Sequence, residues 1–220
     1  MSTPSAAATA SSAQASGAAR LLQRQLKEMH TSSDLSGISV GLAKESNVFE
    51  WEVILMINDD CKYYGGKFQH FLFQIIALDI DIKPRKIPRS GIANIQRNTG
   101  AYFRALMTFP PEYPHLPPKI VFQNPVPFHP NIYPNGELCI SILHPPEEDK
   151  YGYESAAERW SPVQTPETIL LSVLSLFNEP NDESPANLDA AKLLRAEREG
   201  GPKEFRKRVR KCVRESLGED

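Results

Sequence analysis

One of the three cysteines, Cys139, stands in a setting that could do chemistry. Residues 129–139 read His-Pro-Asn-Ile-Tyr-Pro-Asn-Gly-Glu-Leu-Cys. The thiol follows Asn131 by eight residues, across a loop stiffened by Pro130 and Pro134 and turned by Asn135-Gly136. A thiol is the best neutral-pH nucleophile a chain offers. An amide held nearby can steady a developing oxyanion. Together they suggest acyl transfer through a thioester. Cys61 and Cys212 have no such loop and read as structural.

The elements around that loop must come from 220 residues, 40% of them hydrophobic, enough for one domain with tails or insertions. The net charge is −2, from 25 basic and 27 acidic residues, so nothing points to nucleic acid. Three well-separated cysteines with no CxxC argue against a disulfide framework and against a zinc site, and favour a reducing, intracellular setting. No secretory signal is visible, and no run is long enough to span a membrane; 71–82 comes nearest but carries Asp79 and Asp81. Any membrane role would run through a partner.

Residues 1–17, mostly Ala, Ser and Thr, read as a disordered tail. From 18 to 29, Leu21, Leu22, Leu26 and Met29 recur at helical spacing, with Arg20, Arg24 and Lys27 on the surface. Strands are expected at 37–44, 48–57, 101–109 and 119–122, with a Pro-rich bend at 110–118 before the last. Strands in that order predict an antiparallel meander covered on one face by helices. Residues 145–158 form a polar loop with five carboxylates against Lys150. Thr165 reads as the N-cap of a helix with Pro166 at its first position, and Thr168 stands where a capping box would want Glu or Gln. Two further helices are expected at 187–198 and 202–217, the last carrying a run of Lys and Arg that reads as a solvated face or, more sharply, as a secondary contact for a protein partner or lipid.

The run through Cys139, Tyr113-Pro114 with Pro117-Pro118, and Trp160-Ser161-Pro162 resemble the ubiquitin-conjugating enzymes. The resemblance covers 18–66 and 101–217. It implies an α+β fold with an N-terminal helix, a four-stranded antiparallel meander and three C-terminal helices. The catalytic domain would occupy 18–218. Residues 129–137 and 158–164 are most similar to a subgroup with an enlarged acidic loop, associated with degradation of endoplasmic-reticulum proteins.

By this resemblance Cys139 accepts ubiquitin as a thioester from an activating enzyme, and a RING ligase promotes its transfer to a substrate lysine. The protein would need no cofactor, since ATP is used by the upstream enzyme, and no P-loop or GxGxxG is present. Asn131 would serve the oxyanion or organise the loop, with His129 as a backbone-bonding buttress and Pro130 and Tyr133 as support. Ser184 would hold a gate position, with Glu183 beside it as an acidic alternative. The ligase would grip Pro114, His115, Ser161, Pro162 and Val163; many family members carry a large apolar residue where His115 stands. Arg20, Arg24 and Lys27 would face the activating enzyme. The implied location is cytoplasmic, peripheral at the endoplasmic reticulum through a membrane partner.

One segment departs from the family pattern. Residues 67–100 separate Tyr64-Gly65-Gly66 from Ala101-Tyr102-Phe103, and their removal would restore a continuous run. The insert is apolar and β-prone, an aggregation hazard at a hairpin tip. It reads as a retained intron. Gly66-Lys67-Phe68, Ile92-Ala93-Asn94 and Asn98-Thr99-Gly100 can be encoded by donor-, branch- and acceptor-like sequences, and 34 codons keep the frame. A genuine partner-binding insertion is the alternative. Three other functions compete with this reading: a conjugating enzyme for another ubiquitin-like modifier, a catalytically impaired ubiquitin-binding scaffold, and a papain-like hydrolase. The hydrolase needs a His aimed at the thiol, and none of His30, His70, His115, His129 and His144 is an obvious partner; His144, five residues on, is a weak one.

Overall fold

The computed structural model describes residues 6–32, 35–57, 61, 101–145 and 158–219. The expected insertion at 67–100 and the acidic stretch 146–157 lie outside the described residues. Helix α1 (Ala6–Thr31) is followed by strands β1 (Ile38–Lys44), β2 (Asn47–Ile57), β3 (Ala101–Thr108) and β4 (Lys119–Phe122). Helices α2 (Pro166–Asn178), α3 (Leu188–Arg198) and α4 (Glu204–Leu217) complete the order. The strands form one antiparallel sheet in the order β1-β2-β3-β4. This is the expected α+β fold, with four helices and a four-stranded meander among the described residues.

Period-2 alternation decides which sheet face is buried. Trp51, Val53, Leu55 and Ile57 of β2 stand opposite Met107, Ala105, Phe103 and Ala101 of β3. Ala105 and Met107 pair in turn with Phe122 and Ile120 of β4, and every one of these side chains is buried. Ala18, Leu22 and Met29 of α1 and Ile169, Leu170, Val173 and Phe177 of α2 join the same core. Each large apolar side chain sealed there contributes roughly 1.5–3 kcal/mol. The rings of Phe103 and Phe177 stack at 5.9 Å, fixing the end of α2 that reaches the cysteine loop.

Two expectations need correction. Helix α1 starts at Ala6, so most of the tail read as disordered is helical. Ala has the highest helix propensity of any residue, and a helix already nucleated by packing at Ala18 and Leu22 propagates cheaply into an Ala-rich stretch. The capping box of α2, read as incomplete, is complete. The Thr165 hydroxyl accepts from the Thr168 N–H at 3.2 Å, and the Thr168 hydroxyl accepts from the Thr165 N–H at 2.9 Å. A Thr at N3 does the work of the longer Glu because the two residues stand close enough for a short side chain to reach.

Candidate active site

The cysteine loop is sewn to β4 on one side. Phe122 N–H donates to the Gly136 carbonyl at 2.7 Å, and Leu138 N–H to the Ile120 carbonyl at 3.0 Å. Asn135 Oδ1 accepts from Glu137 N–H at 3.0 Å, closing the turn, and Lys119 pairs with Glu137 at 2.8 Å. Gly136 is at φ +90°, where a Cβ would stand 2.2 Å from the Phe122 carbonyl oxygen. Only glycine fits a backbone approach this close in the left-handed region. Inside the loop, Cys139 N–H donates to the Asn131 carbonyl at 2.9 Å, which holds the two candidate residues together.

The opposite side of the loop is tied to the helices. His129 is fully buried. Its Nδ1 accepts from the Asn131 N–H at 3.0 Å, so the proton sits on Nε2, which faces the Leu176 carbonyl at 3.1 Å. Burial, only partly offset by that carbonyl, pushes the imidazole down to about 4. A neutral ring with both nitrogens engaged is a brace, not a proton shuttle. The Asn131 amide is clasped at both ends by one residue: Nδ2 donates to the Asn181 carbonyl at 2.7 Å, and Oδ1 accepts from the Asn181 N–H at 3.0 Å. The Pro130 carbonyl accepts from Asn187 N–H at 2.8 Å.

Cys139 is half-buried at the open edge of this frame. The Tyr133 phenol hydrogen-bonds it, and the cysteine's charge, with burial second, holds that phenol above its ordinary range. His144, which the sequence offers only as a weak partner for the thiol, is the histidine that lies against it. A single 3-10 turn, Ser141–Leu143, folds the chain back and brings His144 Nε2 to 3.5 Å from Cys139 Sγ. The signal was a short turn-forming stretch at a spacing that neither helix nor strand periodicity tests. Glu183 and Ser184 are exposed in the loop that follows Asn181, turned by a bond from Glu183 N–H to Asn181 Oδ1 at 3.0 Å. The other two thiols are set apart: Cys61 is buried in the core, and burial pushes the Cys212 thiol up.

The sequence that builds this arrangement is similar to those of known proteins. The ubiquitin-conjugating enzyme family model matches residues 98–213. Ubiquitin-conjugating enzyme E2 15 of Schizosaccharomyces pombe is 44% identical over 92% of the chain and 96% of its own length. Ubiquitin-conjugating enzyme E2 7 of Arabidopsis thaliana is 42% identical over 92% of the chain and 97% of its own. The human ubiquitin-conjugating enzyme E2 G2 is 40% identical over 91% and 97%. The chain is a ubiquitin-conjugating enzyme.

As a member of this transferase family, the enzyme works with ubiquitin, an activating enzyme and a ligase. Its expected ligase-facing residues come together on one edge. Tyr113 OH donates to Gln25 Oε1 at 2.9 Å, joining the Pro-rich bend to α1. Trp160 Nε1 donates to the Pro114 carbonyl at 2.9 Å, joining the bend to the loop of Ser161, Pro162 and Val163. Phe109, Tyr113 and Trp160 pack in series beneath. Above this base His115 and Pro162 are exposed, Val163 is 81% exposed, and Leu116 adds an apolar side chain beside His115. Arg20, Arg24 and Lys27 lie exposed on α1, with Arg24 paired to Glu28 at 3.5 Å. Among the described residues, no helix is long and apolar enough to cross a membrane, and no group of three His, Cys, Asp or Glu side chains could hold a metal.

Proposed function

We propose that Cys139 carries ubiquitin as a thioester and passes it to a substrate lysine under the direction of a RING ligase. The observation that supports this most is the half-buried thiol held against Asn131 in a frame tied on both sides. The Cys139 thiolate attacks the activating enzyme's ubiquitin thioester. A new Sγ–C bond forms, the old S–C bond breaks, and the donor thiolate leaves. An amine then attacks the Cys139 thioester carbonyl. The tetrahedral oxyanion collapses, expelling the Cys139 thiolate, and the amine proton passes to solvent or a nearby carboxylate.

Each residue then has a physical part. One Asn131 N–H and its amide oxygen are engaged by Asn181, leaving the second Nδ2 hydrogen for the oxyanion. His129 and Pro130 hold the loop, and Tyr133 covers the sulfur. Glu183 and Ser184 orient the amine. The Pro114–His115 and Ser161–Val163 edge receives the ligase, and Arg20, Arg24 and Lys27 receive the activating enzyme. The acidic stretch after Cys139 supports action in endoplasmic-reticulum protein degradation, with recruitment through a membrane-bound partner.

Incubation with activating enzyme, ATP and ubiquitin tests the reading. Wild-type protein should gain one ubiquitin in a reductant-sensitive adduct. Cys139→Ser should trap it as an oxyester that survives reductant. A reductant-sensitive adduct in the Cys139→Ser variant would place the acyl group on another thiol and end the assignment.

A further inference from the structure

The residues joining α2 to α3 run from the tip of one helix to the flank of the other. Asn181, within them, gives both backbone groups to the Asn131 amide. The next residue, Asp182, is gripped from the other side. Its Oδ2 accepts from Arg195 Nε at 3.1 Å, and its Oδ1 from Arg198 Nη1 at 3.0 Å. Its backbone carbonyl accepts from Arg195 Nη2. Arg195 and Arg198 are three apart on α3 and so share a face.

An exposed ion pair is ordinarily worth ~0–1 kcal/mol, and these arginines are half-exposed. What sets this one apart is convergence. Two guanidinium groups hold both carboxylate oxygens and the carbonyl of one residue, whose side chain is only 19% exposed. Burial works to raise the Asp182 carboxyl, but the bonds from Arg195 and Arg198 outweigh it and hold the group below its ordinary range. The Asn181 carbonyl that receives the Asn131 amide belongs to the same peptide plane as the Asp182 N–H. Turning that plane moves the acceptor away from Asn131. At the far end, the bond from Asn187 N–H to the Pro130 carbonyl closes the same bridge.

We infer that Asp182, gripped by Arg195 and Arg198, is a positioning residue for discharge of the thioester, acting through Asn181 on Asn131 and on the placement of Glu183 and Ser184. This rests on the reading that Cys139 passes ubiquitin to an amine. Charging depends on access to the sulfur, which Asp182 does not touch. Discharge depends on an oxyanion donor and an oriented amine, both of which hang from the gripped segment.

The experiment is a single-turnover chase of preformed thioester with free lysine, for the full chain, in four proteins: wild type, Asp182→Asn, Asn131→Ala and the double variant. Asp182→Asn should charge within about two-fold of wild type and discharge about ten-fold more slowly, the scale expected when a reacting group is misplaced by a fraction of an ångström. In the Asn131→Ala background the same change should cost less than about two-fold, because its route of action is gone. Arg195→Gln removes the contact from an exposed helix face and should reproduce the defect if Asp182→Asn folds poorly. Hydrogen exchange at the Asn181 N–H should quicken in both variants. Equal slowing by Asp182→Asn in both backgrounds, or none in either, overturns the inference while leaving the function standing. A wild-type thioester that lysine cannot discharge ends both.

Discussion

The loop of residues 129–139 and the edge made by residues 113–116 and 161–163 are both irregular chain, yet they are built oppositely. In the first, backbone groups and buried side chains are joined to β4, α2 and the 181–187 segment, and the sulfur is half-buried at its edge. In the second, the order lies underneath, in Tyr113 and Trp160, while the tips stand in solvent. Covalent chemistry requires reacting atoms within a few tenths of an ångström of one geometry. Recognition requires a rigid base and interchangeable side chains above it. The two regions meet the two proposed demands differently, with backbone hydrogen bonds at the first and buried aromatics under the second.

Breaking the first region should therefore be costly. Gly136→Ala drives a Cβ to 2.2 Å from the Phe122 carbonyl oxygen at a φ that Ala avoids. The atoms it meets are all Phe122 backbone, not the end of a flexible side chain, so β4 or the turn must shift. The expected loss is about 3 kcal/mol or more of stability, visible in denaturant unfolding, together with slower charging. A variant that melts and charges like wild type would show the loop to be looser than its hydrogen bonds imply.

A second break uses pH. His129 sits near 4 in the folded protein against about 6.5 when exposed, so below 6.5 the unfolded chain takes up a proton that the native one refuses. The stabilisation is fully present above 6.5 and is lost as pH falls from there towards 4. Its size is on the order of 3 kcal/mol. Urea unfolding at pH 7.5 and pH 4.5 should show this loss in wild type and a smaller one in His129→Gln. The subtraction removes the other titrating groups. Equal losses in both proteins would mean that the ring is not kept neutral by the fold.

The two regions also differ in how much of them could be read from residues alone. Strand alternation in β2 and β3 and the Thr165-Pro166 helix start are local patterns, and the elements fall within a residue or two of where those patterns put them. The exposed edge proposed to receive the ligase is visible in the sequence only as a set of separate residues. The bonds that make it one surface, Tyr113 to Gln25 and Trp160 to Pro114, span 88 and 46 positions and have no periodic signature. The clasp of Asn131 by Asn181 spans 50, and it engages backbone atoms, which any residue type would carry. His144 reads only as a weak partner in the sequence because its approach to Cys139 depends on one 3-10 turn. Composition alone does not reveal the start of α1, because an Ala-rich stretch lacks a core of its own yet needs none to continue a helix already packed.

The sharpest separation of chemistry from recognition comes from the smallest change. Val163 is 81% exposed, so Val163→Ala removes two methyl groups that touch little of the folded enzyme. Surface substitutions of this kind shift stability by less than about 0.5 kcal/mol. Charging by activating enzyme and unassisted discharge to free lysine should both be unchanged. Discharge stimulated by a RING ligase should fall by roughly three- to ten-fold, the loss of one modest apolar contact at the centre of an interface. If stimulated discharge is unaffected, the exposed tip is not where the ligase binds. If unassisted discharge falls as well, the recognition edge and the cysteine loop are mechanically coupled, and the separation drawn between them fails at the Trp160–Pro114 bond that underlies both Pro114 and Val163.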